Sequence, residues 1–265
     1  MILQHEFIKE MFGQDCLIRY DKSHFWVKQP MKIKDYTVNE PVIARLLQND
    51  ELVLDIGDEV LHKHDWVGHF DDKGKQLSWK DKTLSLKEVG TIYPELRAEA
   101  LKVVSFLDKE QIPYWIGFQG RGFHLHLFFK GVGVPNKYPE LRHFKQAIVQ
   151  WVIDNTGADC CLDVNNKNAV MIRAFGSTHE KCFFKAVKCC LNIVPEEYPI
   201  NEVQSDETNY PLIKNYWQIP TELINQFLSV KPVVRKNTYW KKENDSVSKF
   251  EYLLKLKQAR RLLHG

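Results

Sequence analysis

Two carboxylates in this chain stand where a metal ion could be held. Asp55 ends the apolar run Leu52-Val53-Leu54 in "LVLDIGDE", and Asp163 follows "CCL" before a polar loop. A carboxylate at the end of an apolar strand must be exposed or paired, because burying it alone is too costly. Two such acids from separate strand ends could converge on Mg2+ or Mn2+, hard cations that take oxygen ligands. Strand alternation puts Asp55 and Gly57 on one face, and Glu59 shares that face only if the strand continues. A turn at Gly57 would instead swing Asp58 back beside Asp55. Acids at strand ends also serve simply as turn formers.

A second group lies in "YWIGFQGRGFHLHLFFKG". Its glycines would let the backbone approach a ligand, and their amides could cradle phosphate. Arg121 could add a charge-assisted contact. In the strand after the turn, His124, His126 and Phe128 share one face, while Phe123, Leu125, Leu127 and Phe129 form a core face. The plain alternative is a hairpin whose histidines satisfy local hydrogen bonds. A third group is "MIRAFGSTHEK", in which Arg173, His179 and Lys181 fall within nine residues of one another. Two strong cationic donors and one titratable donor suit triphosphate oxygens or a DNA backbone.

These groups need elements to carry them. The spacing predicts a helix near residues 3–12, then strands at "CLIRYD" and "HFWVKQP". A short helix is expected over 40–48, beginning beside Pro41. "ELVLDIGDE" is a strand, and residues 66–79 resemble a hairpin turning at Asp72-Lys73-Gly74. The clearest helix spans 94–110, opened by Pro94, and a second follows Tyr138 and stops at Gly157. Strands "IPYWIGF" and "FHLHLFF" lie between these helices, and "AVMIRAFG" and "FFKAVKCCLNIV" follow. Beyond about residue 200 come a linker, a short helix near 220–228, a basic loop and a helix near 246–263. The fold class expected is α/β, a mixed and largely antiparallel sheet with flanking helices, without regular βαβ repetition. The domains expected are a main one over 1–200, which holds all three groups, and a basic helical C-terminal appendage over 201–265.

The totals set limits. The chain has 265 residues, 44% hydrophobic and 27% charged, with 37 basic against 34 acidic residues. The net charge of +3 does not by itself establish a nucleic-acid binder, since such sites need a local positive surface. The tail is more basic, with Arg235, Lys236, Lys241, Lys242, Arg260 and Arg261 beside Tyr239 and Trp240. No apolar run approaches the roughly 18 residues of a membrane span, and the charged start does not resemble a signal peptide. No membrane partner is therefore expected, and a cytoplasmic protein is. The adjacent pairs Cys160–Cys161 and Cys189–Cys190 do not suggest a regular disulfide framework.

Taken in order, the three blocks resemble the small catalytic subunit of archaeal and eukaryotic primases and the related primase-polymerases. The apolar strand ending at Asp55 is similar to that family's first, metal-binding block. Gly122-Phe123-His124 fits the end of its Ser-Gly-x-x-Gly-x-His block, with Arg121 as the preceding basic residue. Asp163, Arg173, Gly176, Ser177, His179 and Lys181 fit its third block, which is the most specific part. The resemblance covers residues 52–181, about half the chain. It departs from the family at Gly57, where a second acid is usual, and at Phe118-Gln119, which replace Ser-Gly. Asp58 or Glu59 would substitute for the missing acid, or one metal would be held differently; Asp58 is favoured.

The resemblance implies a primase catalytic core and template-directed transfer of nucleotides from NTPs or dNTPs to a 3′-hydroxyl on single-stranded DNA. Asp55, Asp58 and Asp163 would hold two Mg2+ or Mn2+ ions. Arg121, Gly122, His124, Arg173, Ser177, His179 and Lys181 would contact the nucleotide, with His124 also acting in catalysis. Many relatives carry structural zinc, which is not favoured here because no Cys-x-x-Cys pair is present. The expected partners are template DNA and nascent primer; relatives also act beside a large primase subunit, a helicase or repair factors. Two other readings stand beside this one. His-hydrophobe-His also marks rolling-circle replication endonucleases, with Tyr138 as the required tyrosine. A non-catalytic primase-like DNA-binding module is the other.

Overall fold

The computed structural model describes residues 4–19, 27–28, 42–57, 86–159, 161–162, 171–177, 186–189, 193–197 and 214–230. Its helices are α1 (Gln4–Phe12), α2 (Leu86–Lys109), α3 (Glu140–Thr156) and α4 (Thr221–Ser229). Its strands are β1 (Leu17–Arg19), β2 (Val27–Lys28), β3 (Val42–Leu46), β4 (Glu51–Ile56), β5 (Trp115–Phe118), β6 (Phe123–Lys130), β7 (Cys161–Leu162), β8 (Met171–Arg173), β9 (Val187–Lys188) and β10 (Tyr216–Gln218). The fold is mixed α/β. The larger sheet has the order β7-β4-β6-β5-β9, and β10 runs parallel to the end of β6. The smaller sheet, β2-β1-β3-β8, is antiparallel throughout. The expected hairpin at 66–79 and helix at 246–263 lie outside the described residues. Among the described residues, no helix is long and apolar enough to cross a membrane.

The central strand β6 sorts its side chains as alternation requires. Phe123, Leu125, Leu127 and Phe129 join Leu52, Leu54 and Ile56 of β4 in the main core, under α2 and α3. The opposite face carries His124, His126 and Phe128 beside Asp55, Val53 and Glu51. Part of it is covered by a second core, where Ile8 and Phe12 of α1 meet Trp115, Phe128 and Ala174. The larger sheet is thus sandwiched between two helices on one side and α1 with the smaller sheet on the other.

Three elements differ from expectation. Residues 42–46 form strand β3, not part of a helix over 40–48, because β3 fills the gap between β1 and β8. Tertiary pairing there outweighs local propensity, and β-branched Val42 and Ile43 suit a strand. Helix α2 begins at Leu86 and runs through Pro94. Pro94 removes one backbone hydrogen bond, yet Val89, Ile92, Tyr93 and Leu96 keep a buried stripe across it. Finally, Met1–Lys231 forms one compact unit and Pro232–Gly265 another. Residues 214–230, expected in the appendage, belong to the main core through Trp217, Ile219, Ile224 and Phe227. Trp217 stacks on Trp151 of α3 with ring centroids 6.0 Å apart.

Two glycines set the join between β4 and the β5–β6 turn. A Cβ on Gly57 would lie 2.8 Å from the Gly122 Cα and 2.9 Å from the Arg121 carbonyl oxygen, and one on Gly122 would overlap the Ile56 carbonyl. Backbone lies on both sides, so neither position can yield easily. Gly57→Ala should therefore lower unfolding stability by about 1–3 kcal/mol. Val132→Ala, at an 87% exposed residue, should change it by under about 0.5 kcal/mol. Parallel urea titrations decide this, and an unchanged Gly57→Ala midpoint would refute the contact.

Candidate functional site

Antiparallel register brings the first two sequence blocks together. Asp55 and His124 are ladder partners on β4 and β6, with His124 Nε2 3.9 Å from Asp55 Oδ2. Both side chains keep some exposure, 17% for Asp55 and 12% for His124. The imidazole of His124 is held well below its ordinary range, by burial first and then by His126 and Arg173. It is therefore neutral near pH 7. Arg173, of the third block, pairs with Ala44 at the edge of the smaller sheet. One residue from each block thus falls in one neighbourhood.

The glycine turn does what its sequence suggests. Gln119 N–H donates to the Gly122 carbonyl at 2.8 Å, and Gly120 has φ +90°. A glycine with positive φ at the first central position is what a two-residue type II′ hairpin favours. Arg121, the other central residue, is only 8% exposed.

Ser177 has a different place from the one expected. It is buried, and its Oγ accepts the Ile43 N–H at 2.7 Å. It closes a turn whose Ser177 N–H donates to Ala174 O, with Gly176 at φ +84°. The hydroxyl anchors the third block to β3 and does not lie open to a ligand. Asp58, Asp163, His179 and Lys181 are outside the described residues, as are the six basic tail residues. Among the described residues, no three His, Cys, Asp or Glu side chains are grouped to hold a metal.

The remaining histidine belongs to a buried charge network that the sequence did not reveal. Arg45 grips Glu51 with two hydrogen bonds of 2.5 and 2.6 Å, and His126 Nδ1 lies 2.8 Å from Glu51 Oε1. All three are at most 3% exposed. A carboxylate ionised by Arg45 can only accept, so the 2.8 Å contact has the proton on Nδ1 of His126, which donates to Glu51. His126 also lines a small cavity with Arg45, Trp115 and Arg173. Burial alone would raise the Glu51 carboxyl, but Arg45 and then His126 pull it down to about 2. His126 is lowered, by burial first and also by Arg45, against the pull of Glu51. Glu51 could have been placed on the Asp55 face by alternation. Nothing in the sequence said that a second sheet would cover that end of the face.

Removing one partner of a buried pair strands the other charge. Glu51→Gln should lose about 3–5 kcal/mol of stability at pH 7, and Arg45→Met with Glu51→Leu together should recover most of it. The sign with pH follows from the two depressed groups. Glu51 contributes stability fully above its ordinary 4.5, and that contribution fades as pH falls towards about 2. Neutral His126 adds to the acid loss below its ordinary 6.5. Acid unfolding curves should therefore be shallower for Glu51→Gln between pH 4.5 and 2 than for the parent. A single-variant loss under about 0.5 kcal/mol would mean that this pair does not join the sheets. No protein-family model matches this chain, and no curated protein matches it significantly in sequence.

Proposed function

We propose that the chain is a DNA primase or primase-polymerase of the archaeo-eukaryotic primase type, transferring nucleotides from NTPs or dNTPs to a 3′-hydroxyl on single-stranded DNA. The observation that carries the reading is the meeting of Asp55, His124 and Arg173, one residue from each resembling block. A largely antiparallel sheet with helices on one face is compatible with such a core.

In this reading the polar face divides its work. Asp55, whose carboxylate is partly exposed at a strand end, offers the oxygen donors that hard cations take. The close approach of Gly122 leaves position 57 no room for a second acid, so Asp58 takes that part. Asp55, Asp58 and Asp163 would hold two Mg2+ or Mn2+ ions, which supply activation of the 3′-hydroxyl and charge neutralisation at the phosphates. His124, kept neutral, donates a hydrogen bond to a phosphate oxygen without bringing a fixed charge beside Asp55. Arg121, Arg173, His179 and Lys181 bring positive charge to the phosphate oxygens, where negative charge builds up during transfer. Stabilising that charge, together with positioning, accounts for almost all of the catalysis in phosphoryl transfer. Gly122 fixes the turn that carries Arg121. Template and primer lie along basic surface, held mostly by their backbones.

The tyrosine-nuclease reading is weakened by Tyr138. It precedes α3, whose buried side chains pack on the core face of β6. The histidines occupy the other face. The Asn136 carbonyl, near Tyr138 in the chain, accepts a hydrogen bond from Asn49 in the turn before β4, at the end of that strand away from Asp55.

The test is synthesis on single-stranded DNA with labelled NTPs or dNTPs and Mg2+ or Mn2+, with and without primer. Product should form, vanish with Asp163→Ala and fall about 10²–10³-fold with His124→Ala. A covalent adduct of DNA on Tyr138, or folded protein that incorporates nothing under these conditions, would overturn the proposal.

A further inference from the structure

The buried charge network does not satisfy all of its own atoms. His126 Nδ1 donates to Glu51, so the neutral ring keeps a lone pair on Nε2. That Nε2 has no hydrogen-bond partner among the described residues, in a side chain only 2% exposed. A buried acceptor without a donor costs stability, and folded proteins commonly supply one as an ordered water.

The space beside it suits a water. His126 lines a cavity of about 20 Å³ between the two sheets, and one water needs roughly 10–15 Å³. Aromatic rings wall much of it. The Phe175 ring lies 5.6 Å and the Trp115 ring 6.5 Å from the His126 ring, and Phe12 lies 3.6 Å from the Arg45 guanidinium. The charged and titratable groups of the lining are His126, Arg45 and Arg173. Each guanidinium presents five N–H donors, so either arginine can donate to a water whose own O–H meets Nε2. That gives the two to four polar partners that a buried water takes.

Arg173 joins this cavity to the candidate site. It borders the cavity, it is half-buried, and its charge lowers the proton affinity of His124. The rings of His124 and His126 are 6.3 Å apart on one face of β6. One side chain therefore reaches both the closed network and the open end of the face.

We infer that His126 is a positioning residue for Arg173, acting through one water held in this cavity. The water donates to His126 Nε2 and accepts an N–H from Arg173. The Arg45–Glu51–His126 network thereby sets the direction of the guanidinium that is presented to phosphate. This rests on the nucleotide-binding reading above. It gives a role to the second histidine of the motif, which matches none of the resembled blocks and touches no ligand itself.

Two substitutions separate the ring nitrogens. His126→Asn keeps an N–H near the Nδ1 position for Glu51 and removes the acceptor at Nε2. His126→Gln puts an amide near the Nε2 position and gives up the Glu51 contact. The full chain is titrated calorimetrically with ATP, and separately with inorganic tripolyphosphate. His126→Asn should bind both about 5-fold more weakly than the parent, and His126→Gln within about 2-fold of it. Urea titration should rank them the other way, with His126→Gln the less stable. A histidine that served folding alone would give affinities in the order of the stabilities. In an Arg173→Ala background, His126→Asn should change affinity by under about 2-fold, since the group it positions is gone. Proton NMR of the parent should show cross-relaxation between the His126 ring protons and a long-lived bound water. If that water is missing, this inference is overturned and the nucleotide-binding reading survives. The same holds if both variants bind as tightly as the parent, or if they lose affinity in step with stability. If the parent binds neither ligand, both fall together.

Discussion

The bond between Arg45 and Glu51 is the constraint on which the rest of this architecture hangs. Arg45 belongs to the smaller sheet and Glu51 opens β4 of the larger one, so two buried hydrogen bonds tie the layers. His126 completes the network from the central strand. A buried ion pair is a poor source of net stability compared with a well-packed apolar contact, but it is intolerant of wrong geometry. Its value here is registration. With Arg45 fixed, β3 cannot slide, and β8 with Arg173 is held beside β6.

Much of this was legible in the sequence where local periodicity decides. The alternation in "FHLHLFF" separated a core face from a histidine face, and the ladder follows that division residue by residue. Gly157 marked the end of α3 and adopts φ +62° there. Features set by partners distant in the chain were not legible in this way. Residues 42–46 look helical in isolation and become a strand because β1 and β8 flank them. Ser177 matches a binding motif by type, but its hydroxyl serves the Ile43 amide, which no spacing rule announces. Glu51 was visible as a residue and invisible as a neighbour, because its partners Arg45 and His126 come from two other strands.

The two histidines of one short motif have separated fates for a physical reason. His126 lies where the second layer closes over the sheet, so it is buried, hydrogen-bonded and structural. His124 lies two residues nearer the glycine turn, where the cover ends and some exposure returns. The close backbone contact of Gly57 with Gly122 holds that open end in shape. A side chain at position 57 has no space to occupy.

Strand β10 has a consequence for how the protein is made. It lies parallel against Phe128, Phe129 and Lys130 at the end of the central strand, although it is synthesised far later. Parallel pairing over such a separation requires a long loop to close before any contact compensates for the lost chain entropy. During translation, the histidine face and the helices α2 and α3 emerge while that stretch of β6 is paired with β4 on one side only. Trp151 and Phe144 wait likewise for Trp217 and Phe227. The nascent chain therefore carries an unpaired edge and an uncovered aromatic surface until α4 has left the ribosome, and this interval is when misassociation is most available to it.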